Sequence, residues 1–535
     1  MKTNILKSIS VFFLSSILLG CNPNANKQKN TIEITLTDSL INQMQAGIGA
    51  NFTTLVDSLP VVQLNHQYRS YGGSCWGANP PLTDTASWNK IWHYADWMGL
   101  DFCRVLTSRK CFELQQGKYT FDNEEMKMLY HYLDYCESRG IDVFLQNLWN
   151  NVTWLSVPTA GNDPVKILRS APNDIEVYTE GLMQLLNHLV NTKKYTCVKY
   201  VCIINEPFEN WSWYIAKFDP DSFATPAPAY KLMQEKLHKS NLDVKLSGPD
   251  VSVYYSSKIH PNKSSFFEYF DAYDIHSYVT RPDWYADSTM TFEDGGKGEL
   301  NKISLTEIQY AAWKNHGKEH GNKPFFISEM GSFMHGFGED TIGMSTYEAM
   351  LKDVESVIRY SNIGVDGFMR WSFLNRGNLD GKWQFVNSWN IKENKFLPAQ
   401  QITPHTTPYY MWSMLTRFTP KHAKVMYTKV NGGSISGCQR VFAATYKNST
   451  STNYSLIIIN DSDSTFATKV NVKGNNQQLF KYHLVKNTLG ENIVGEVSLR
   501  PTETDLSKEF EVPAKSIIVF TNYNLKEYDA GIILQ

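Results

Sequence analysis

Apolar residues recur along this chain in two alternating rhythms. Short runs of strand type, each closing on polar or aromatic residues, cover Tyr68–Cys75, Asp101–Leu106, Asp142–Leu148, Tyr200–Asn205, Val244–Ser247, Tyr273–Ser277, Pro324–Ser328 and Gly367–Ser372. Between them lie stretches with apolar positions three and four apart, such as Glu124–Ser138, Glu176–Val190, Ala229–Ser240, Leu305–Asn315 and Tyr347–Ser361. Strands alternating with helices predict a parallel sheet with right-handed crossovers. Eight such units predict an α/β fold of the (β/α)8 TIM barrel type. The competing architecture, an open doubly wound sheet, would carry a glycine-rich phosphate turn that is not found here.

Beyond Pro404 the rhythm changes. Tyr454–Ile459, Ala467–Val472, Phe480–Val485, Ile493–Leu499 and Ser516–Thr521 are β-rich segments separated by Asn, Asp, Ser and Gly. They predict an all-β C-terminal domain, an antiparallel sandwich. An early alternating strand, Ile32–Leu36, is a candidate to pair with it. The expected organisation is a leader over 1–20, a tether over 21–30, a strand segment over 31–60, the barrel over 61–403 and the sandwich over 404–535.

The leader has a basic start with Lys2 and Lys7, a short apolar stretch over Val11–Leu19, and the ending Leu18-Leu19-Gly20-Cys21. The apolar stretch is too short to span a bilayer as an ordinary helix. The tetrapeptide resembles the bacterial lipobox, which implies lipidation at Cys21. The expected location is therefore extracytoplasmic, periplasmic or cell-surface, with the membrane met through the lipid anchor only.

Composition narrows the partners. The 535 residues are 42% apolar and 19% charged, with a net charge of -2, so no basic field is present to attract nucleic acid. The 14 Trp and 29 Tyr suit flat apolar ligands such as sugar faces as well as a core. Eight Cys include no C-x-x-C pair and several sit in apolar runs, which predicts buried thiols; sequence leaves a Cys103–Cys111 bridge open.

Two strand ends carry candidate chemistry. Tyr200-Val-Cys-Ile-Ile-Asn-Glu-Pro-Phe-Glu209 runs from an apolar strand into Asn205, Glu206 and Pro207. Pro324-Phe-Phe-Ile-Ser-Glu329 repeats the pattern three strands later. A barrel brings all strand ends to one face, so two carboxylates far apart in sequence meet across one bond. Glycoside hydrolysis needs such a pair, one to protonate the leaving oxygen and one to attack or to activate water.

The ordered set Asn205-Glu206-Pro207 after strand four and Glu329 on strand seven resembles the retaining glycoside hydrolases of clan A, over roughly residues 60–400. The resemblance implies Glu206 as acid/base and Glu329 as nucleophile. It implies that Asn205 holds a sugar 2-hydroxyl and that Arg104, in strand two, keeps Glu329 ionised while Glu206 has a raised pKa. It places His276 or Tyr278, in Asp274-Ile-His-Ser-Tyr278, against the nucleophile, and Trp371 beneath the sugar. Trp149 and Asn150, after strand three, would line the same mouth. Glu209, Asp250 and the Cys75-Trp76 loop are weaker candidates. Phe418-Thr-Pro-Lys-His-Ala-Lys-Val425 resembles, within the clan, the glucosylceramidases and β-1,6-glucanases.

His316-Gly-Lys-Glu-His320 fits an H-x-x-E-H zinc motif, but Gly317 weakens a helix there and the segment lies at the wrong end of a barrel for chemistry. No cofactor and no metal is expected. The function expected is hydrolysis of β-glycosidic bonds in a polysaccharide or oligosaccharide. The alternatives are a non-catalytic glycan-binding lipoprotein and a transglycosidase using the same two Glu.

Overall fold

The computed structural model describes residues 31–523 apart from 55–61, 65–66, 70–77, 149–151, 208–225, 253–264, 279–298, 333–346, 375–382, 391–392, 394, 436–437, 473–478 and 487–493. Eight strands close into a barrel: Ile48–Thr53, Phe102–Thr107, Asp142–Asn147, Val198–Cys202, Lys245–Val251, Ala272–Tyr278, Phe325–Gly331 and Gly367–Arg370. Neighbours pair in parallel, and the last meets the first with Phe368 opposite Ile48. Around them lie helices Thr85–Met98, Glu124–Arg139, Ile175–Asn187, Ala227–Lys239, Glu299–Glu319, Tyr347–Ser361 and Thr406–Thr416. Short polar side chains start three of these: Asp84, Asn123 and Asp174 each accept the backbone N–H three residues on.

Side chains alternate along each strand, which sorts the sequence into two layers. Outward residues such as Val105, Leu145, Val201, Ile275 and Ile327 pack under the helices. Inward residues Phe102, Phe144, Tyr200, Phe326 and Met369 plug the lower barrel. Two residues further along, Phe102, Phe144 and Phe326 give way to Arg104, Gln146 and Ser328. A polar layer therefore sits directly on an apolar plug, at the carboxyl ends of the strands.

The first strand differs from expectation. It is Ile48–Thr53, inside the segment expected to precede the barrel; Gln67–Arg69 instead pairs antiparallel with Val62–Leu64, and 70–77 lies outside the described residues. The physical reason is Gly49, where a Cβ would fall 1.8 Å from the Phe102 carbonyl oxygen. Close strand approach demands glycine there, and Gly47 and Gly49 hide the strand from β-propensity. The far boundary also shifts. Helix Thr406–Thr416, beyond the boundary expected at 404, belongs to the barrel's outer ring, and its Trp412 indole donates to the Gly49 carbonyl at 3.0 Å.

The C-terminal part is a nine-stranded sheet. Thr31–Gln43 lies within it, antiparallel to Lys424–Gly432 and parallel to Phe466–Val472. Ile32, Ile34, Phe466 and Val512 from one half share a core with Leu456, Ile458, Ile518 and Phe520 from the other, so the sheet curls over on itself. Its other face, with Tyr446, Ile457, Ile459 and Val519, joins the barrel core. Helix Tyr347–Ser361 fills that junction and is buried around nearly its whole circumference.

Candidate active site

Glu206 stands on a turn rather than on a strand tip, because strand four ends at Cys202. Its φ of 45° is left-handed, a conformation that costs a non-glycine residue on the order of 1 kcal/mol. Its N–H donates to the Asp250 carbonyl at 3.1 Å, which ties the turn to strand five. The carboxylate reaches inward, with Oε1 2.8 Å from His276 Nδ1.

Glu329 lies within strand seven, at an irregularity. Ile327 faces Ile275 and Glu329 faces His276, so Ser328 is an extra residue in the ladder. Such bulges re-aim side chains beside active sites. Glu329 Oε1 accepts the Tyr278 hydroxyl at 2.5 Å, and Oε2 accepts Arg104 Nη1 at 2.7 Å. Burial pushes this carboxyl above the usual glutamate range, while the charges of His276 and Arg104 pull it down. With a donor on each oxygen, the hydrogen-bond pattern is that of a carboxylate.

Arg104 spends all its N–H groups on five different strand ends. Nε donates to Gln146 at 3.3 Å, and Nη1 to Asn51 at 3.0 Å and to Glu329. Nη2 donates to Asn205 at 2.6 Å and to Asp250 at 2.9 Å. Arginine has five N–H donors in a fixed fork, so these acceptors are mutually oriented by one planar group.

Strand six supplies a column through its alternation. Asp274, His276 and Tyr278 all point inward, at successively higher levels. Asp274 takes a hydrogen bond from Ser247, lies 3.4 Å from Ser328 Oγ and packs against Asp250; burial and the Asp250 charge push its carboxyl well up. His276 lies between Asp250, 3.0 Å from Nε2, and Glu206. Burial opposes a charge on this ring, but Asp250, Glu329 and Glu206 together push its pKa well above the ordinary histidine value. Burial and the Glu329 charge keep the Tyr278 phenol protonated. Of the two strand-six residues expected against Glu329, Tyr278 holds it, whereas His276 bonds Glu206 and stays 3.8 Å from Glu329.

The structure thus brings Arg104, Asn205, Glu206, His276, Tyr278 and Glu329 together. Trp371 directly follows strand eight and packs in the barrel core, 7% exposed, with a cis peptide to Ser372. Trp149, Asn150, Glu209, Cys75, Trp76 and Cys21 lie outside the described residues. Asn51, Gln146 and Ser328 were not anticipated, and Asp250 is far more central than expected. The signal for Asp250 was a polar residue after Gly248-Pro249; that peptide is cis, and Asp250 itself is left-handed at 55°. Cys103 and Cys111 are both buried free thiols. The His316 region departs from expectation in one respect: its helix continues through Gly317 to Glu319, and His316 Nδ1 is 2.9 Å from the Tyr273 hydroxyl.

Two groups among the described residues have ligand atoms within 4.8 Å of one another: Glu206, His276 and Glu329, and Cys202, Asp250 and Asp274. In the first, both ring nitrogens of His276 face carboxylates and Arg104 and Tyr278 cover Glu329. The donor set is one of matched charges and hydrogen bonds rather than of open lone pairs for a cation.

No protein-family model and no curated protein matches the sequence. Solved structures do match. A GH30 endoxylanase from Clostridium papyrosolvens C71 aligns with TM-score 0.55 and 13% identity, covering 92% of this chain and 100% of that one. An endo-β1,6-glucanase aligns with TM-score 0.55 and 13% identity, over 91% of this chain and 93% of that one. An α-L-arabinofuranosidase from Thermotoga maritima aligns with TM-score 0.58 and 10% identity, over 92% and 99%. What the chain shares with these glycoside hydrolases is the fold, an eight-stranded parallel barrel with an appended β domain.

Proposed function

We propose that this protein is a retaining glycoside hydrolase that cleaves β-glycosidic bonds of a polysaccharide or oligosaccharide. The observation that carries this is the spacing of two carboxylates: an oxygen of Glu206 lies within 4.8 Å of one of Glu329. Double displacement uses carboxyl groups about 5–5.5 Å apart, whereas inversion leaves about 6.5–9.5 Å for a water. The barrel, and its likeness to three kinds of glycoside hydrolase, supports the same reading.

In the first step an oxygen of Glu329 attacks the anomeric carbon, the glycosidic C–O bond breaks, and Glu206 gives its proton to the departing oxygen. In the second, Glu206 takes a proton from water, the water oxygen bonds the anomeric carbon, and the ester to Glu329 breaks. Arg104 and Tyr278 hold the nucleophile at a fixed angle, so little reorganisation accompanies attack. In this reading Asn205, whose Oδ1 accepts from Arg104, meets the sugar's 2-hydroxyl.

The test uses aryl glycosides and a polysaccharide panel. The first product anomer, followed by NMR, should retain configuration, and a 2-fluoroglycoside should label Glu329. Glu329→Ala should abolish turnover; an active Glu329→Ala enzyme, or an inverted first product, overturns the reading. The same proposal has the enzyme tethered outside the cytoplasm through Cys21, which mass spectrometry of the mature N-terminal peptide checks by its lipid mass.

A further inference from the structure

The two-carboxylate scheme gives no part to Asp250, yet this fully buried acid is engaged on every side. Oδ2 accepts Arg104 Nη2 at 2.9 Å, and Oδ1 lies 3.0 Å from both His276 Nε2 and Ser328 Oγ. Its carbonyl accepts the Glu206 N–H. His276 continues the line, with Nδ1 2.8 Å from Glu206 Oε1. Arg104 Nη2 also approaches His276 Nε2 at 3.3 Å, but both of its hydrogens go to Asn205 and Asp250. Nε2 therefore keeps a hydrogen of its own for Asp250, while Nδ1 faces the Glu206 oxygen.

We propose that Asp250 is a positioning residue: it holds His276 as a doubly protonated imidazolium against Glu206, ready for the carboxylate that Glu206 becomes when it gives up its proton. The proposal rests on the reading of Glu206 as acid/base. As the glycosidic bond breaks, Glu206 gains a negative charge and Glu329, now an ester, loses one. His276 Nδ1 stands between them, 2.8 Å from one and 3.8 Å from the other. A fixed cation there meets the charge as it arrives on Glu206, with no reorganisation of water. Among the described residues, the charged and titratable groups facing the ring are Glu206 from strand four's turn, Asp250 from strand five, Glu329 from strand seven, Arg104 from strand two, and Asp274 and Tyr278 from its own strand. Among the carboxylates that favour a charged ring, Asp250 contributes most, so its loss weakens the hold on the second proton.

The experiment begins with the wild type and Glu206→Ala on aryl glycosides. Turnover by the first, and azide rescue of the second, establish the acid/base; failure at this stage sinks the underlying reading and is recognised as such. Asp250→Asn is then compared across leaving groups. The expected result is a loss of about 10²-fold in kcat/KM for poor leaving groups and a loss under about threefold for dinitrophenyl glycosides. An equal loss for every leaving group overturns the proposal, because it places the effect on Glu329 through Arg104. Nitrogen-15 NMR of His276 in the wild type gives an answer that does not depend on how the variant folds. Both nitrogens should carry hydrogens across about pH 5 to 8, and a neutral ring anywhere in that range overturns the proposal.

Discussion

Arg104 Nη1 lies 2.7 Å from Glu329 Oε2, and the same guanidinium binds Asn51, Gln146, Asn205 and Asp250. The carboxylate read as the nucleophile is thereby held by a group that also spans the barrel mouth. Arg104→Lys keeps the charge but loses the fork, so it should lower kcat/KM by roughly 10²–10³-fold. It should also cost about 3–5 kcal/mol of stability, because Asp250 is left under-paired in a dry site. Kinetics and urea unfolding check the two effects separately; an unchanged rate would remove Arg104 from the machinery.

Tyr278 gives a second, sharper readout. Its hydroxyl stabilises ionised Glu329 through a 2.5 Å hydrogen bond, and that bond lowers the Glu329 pKa. Tyr278→Phe should therefore raise it. The acidic limb of kcat/KM against pH, where the nucleophile must be ionised, should move to higher pH, with kcat down about tenfold or more. A limb that stays in place would show that the phenol acts elsewhere.

Much of this site is legible in sequence, and the illegible part has physical causes. Glu329 announces itself as a carboxylate closing an apolar strand, and the Asp274-x-His276-x-Tyr278 alternation puts three polar groups on one face. Glu206 reads as a strand tip although it sits past the strand, since an apolar Ile203-Ile204 continues the pattern beyond the last ladder bond. Strand one was hidden by glycines that the Phe102 carbonyl requires. Asn51 and Gln146 look like the solvent-facing positions of any alternating strand; only closure of the barrel turns them inward onto Arg104. Asp250 depends on a left-handed backbone at a register slip, which local sequence does not encode.

Asp101, just before strand two, predicts a pH dependence away from the site. Burial pushes its carboxyl up to about 7, opposed by Lys421 and aided by Asp142. The unfolded chain releases that proton near 3.8. Between these values the folded protein binds more protons than the unfolded one, so stability falls as pH rises from 4 towards 7. Asp101→Asn removes this component. Its melting temperature should match the wild type near about pH 4 and exceed it near about pH 8; a gain at the acid end would contradict the assignment.

At the junction between barrel and sheet three cations, Lys352, Arg440 and Lys515, meet the one carboxylate of Asp461, at different depths. Asp461 bonds Lys352, which also lies 2.8 Å from Glu355, and the pair is almost fully buried. Arg440 meets the same Asp461 at 3.2 Å but is 32% exposed. Breaking a buried pair costs about 3–5 kcal/mol, because the remaining charge is stranded. Here the cost should fall near the lower end: Asp461 keeps Arg440 and Lys515, and Glu355 keeps Arg359 at 2.9 Å. Lys352→Ala is thus expected to cost about 3 kcal/mol, and Arg440→Ala under about 1 kcal/mol. Urea titrations of both variants measure this directly. If the two costs come out equal, burial does not govern the strength of this latch, and the helix Tyr347–Ser361 is held to the sheet chiefly by its apolar face.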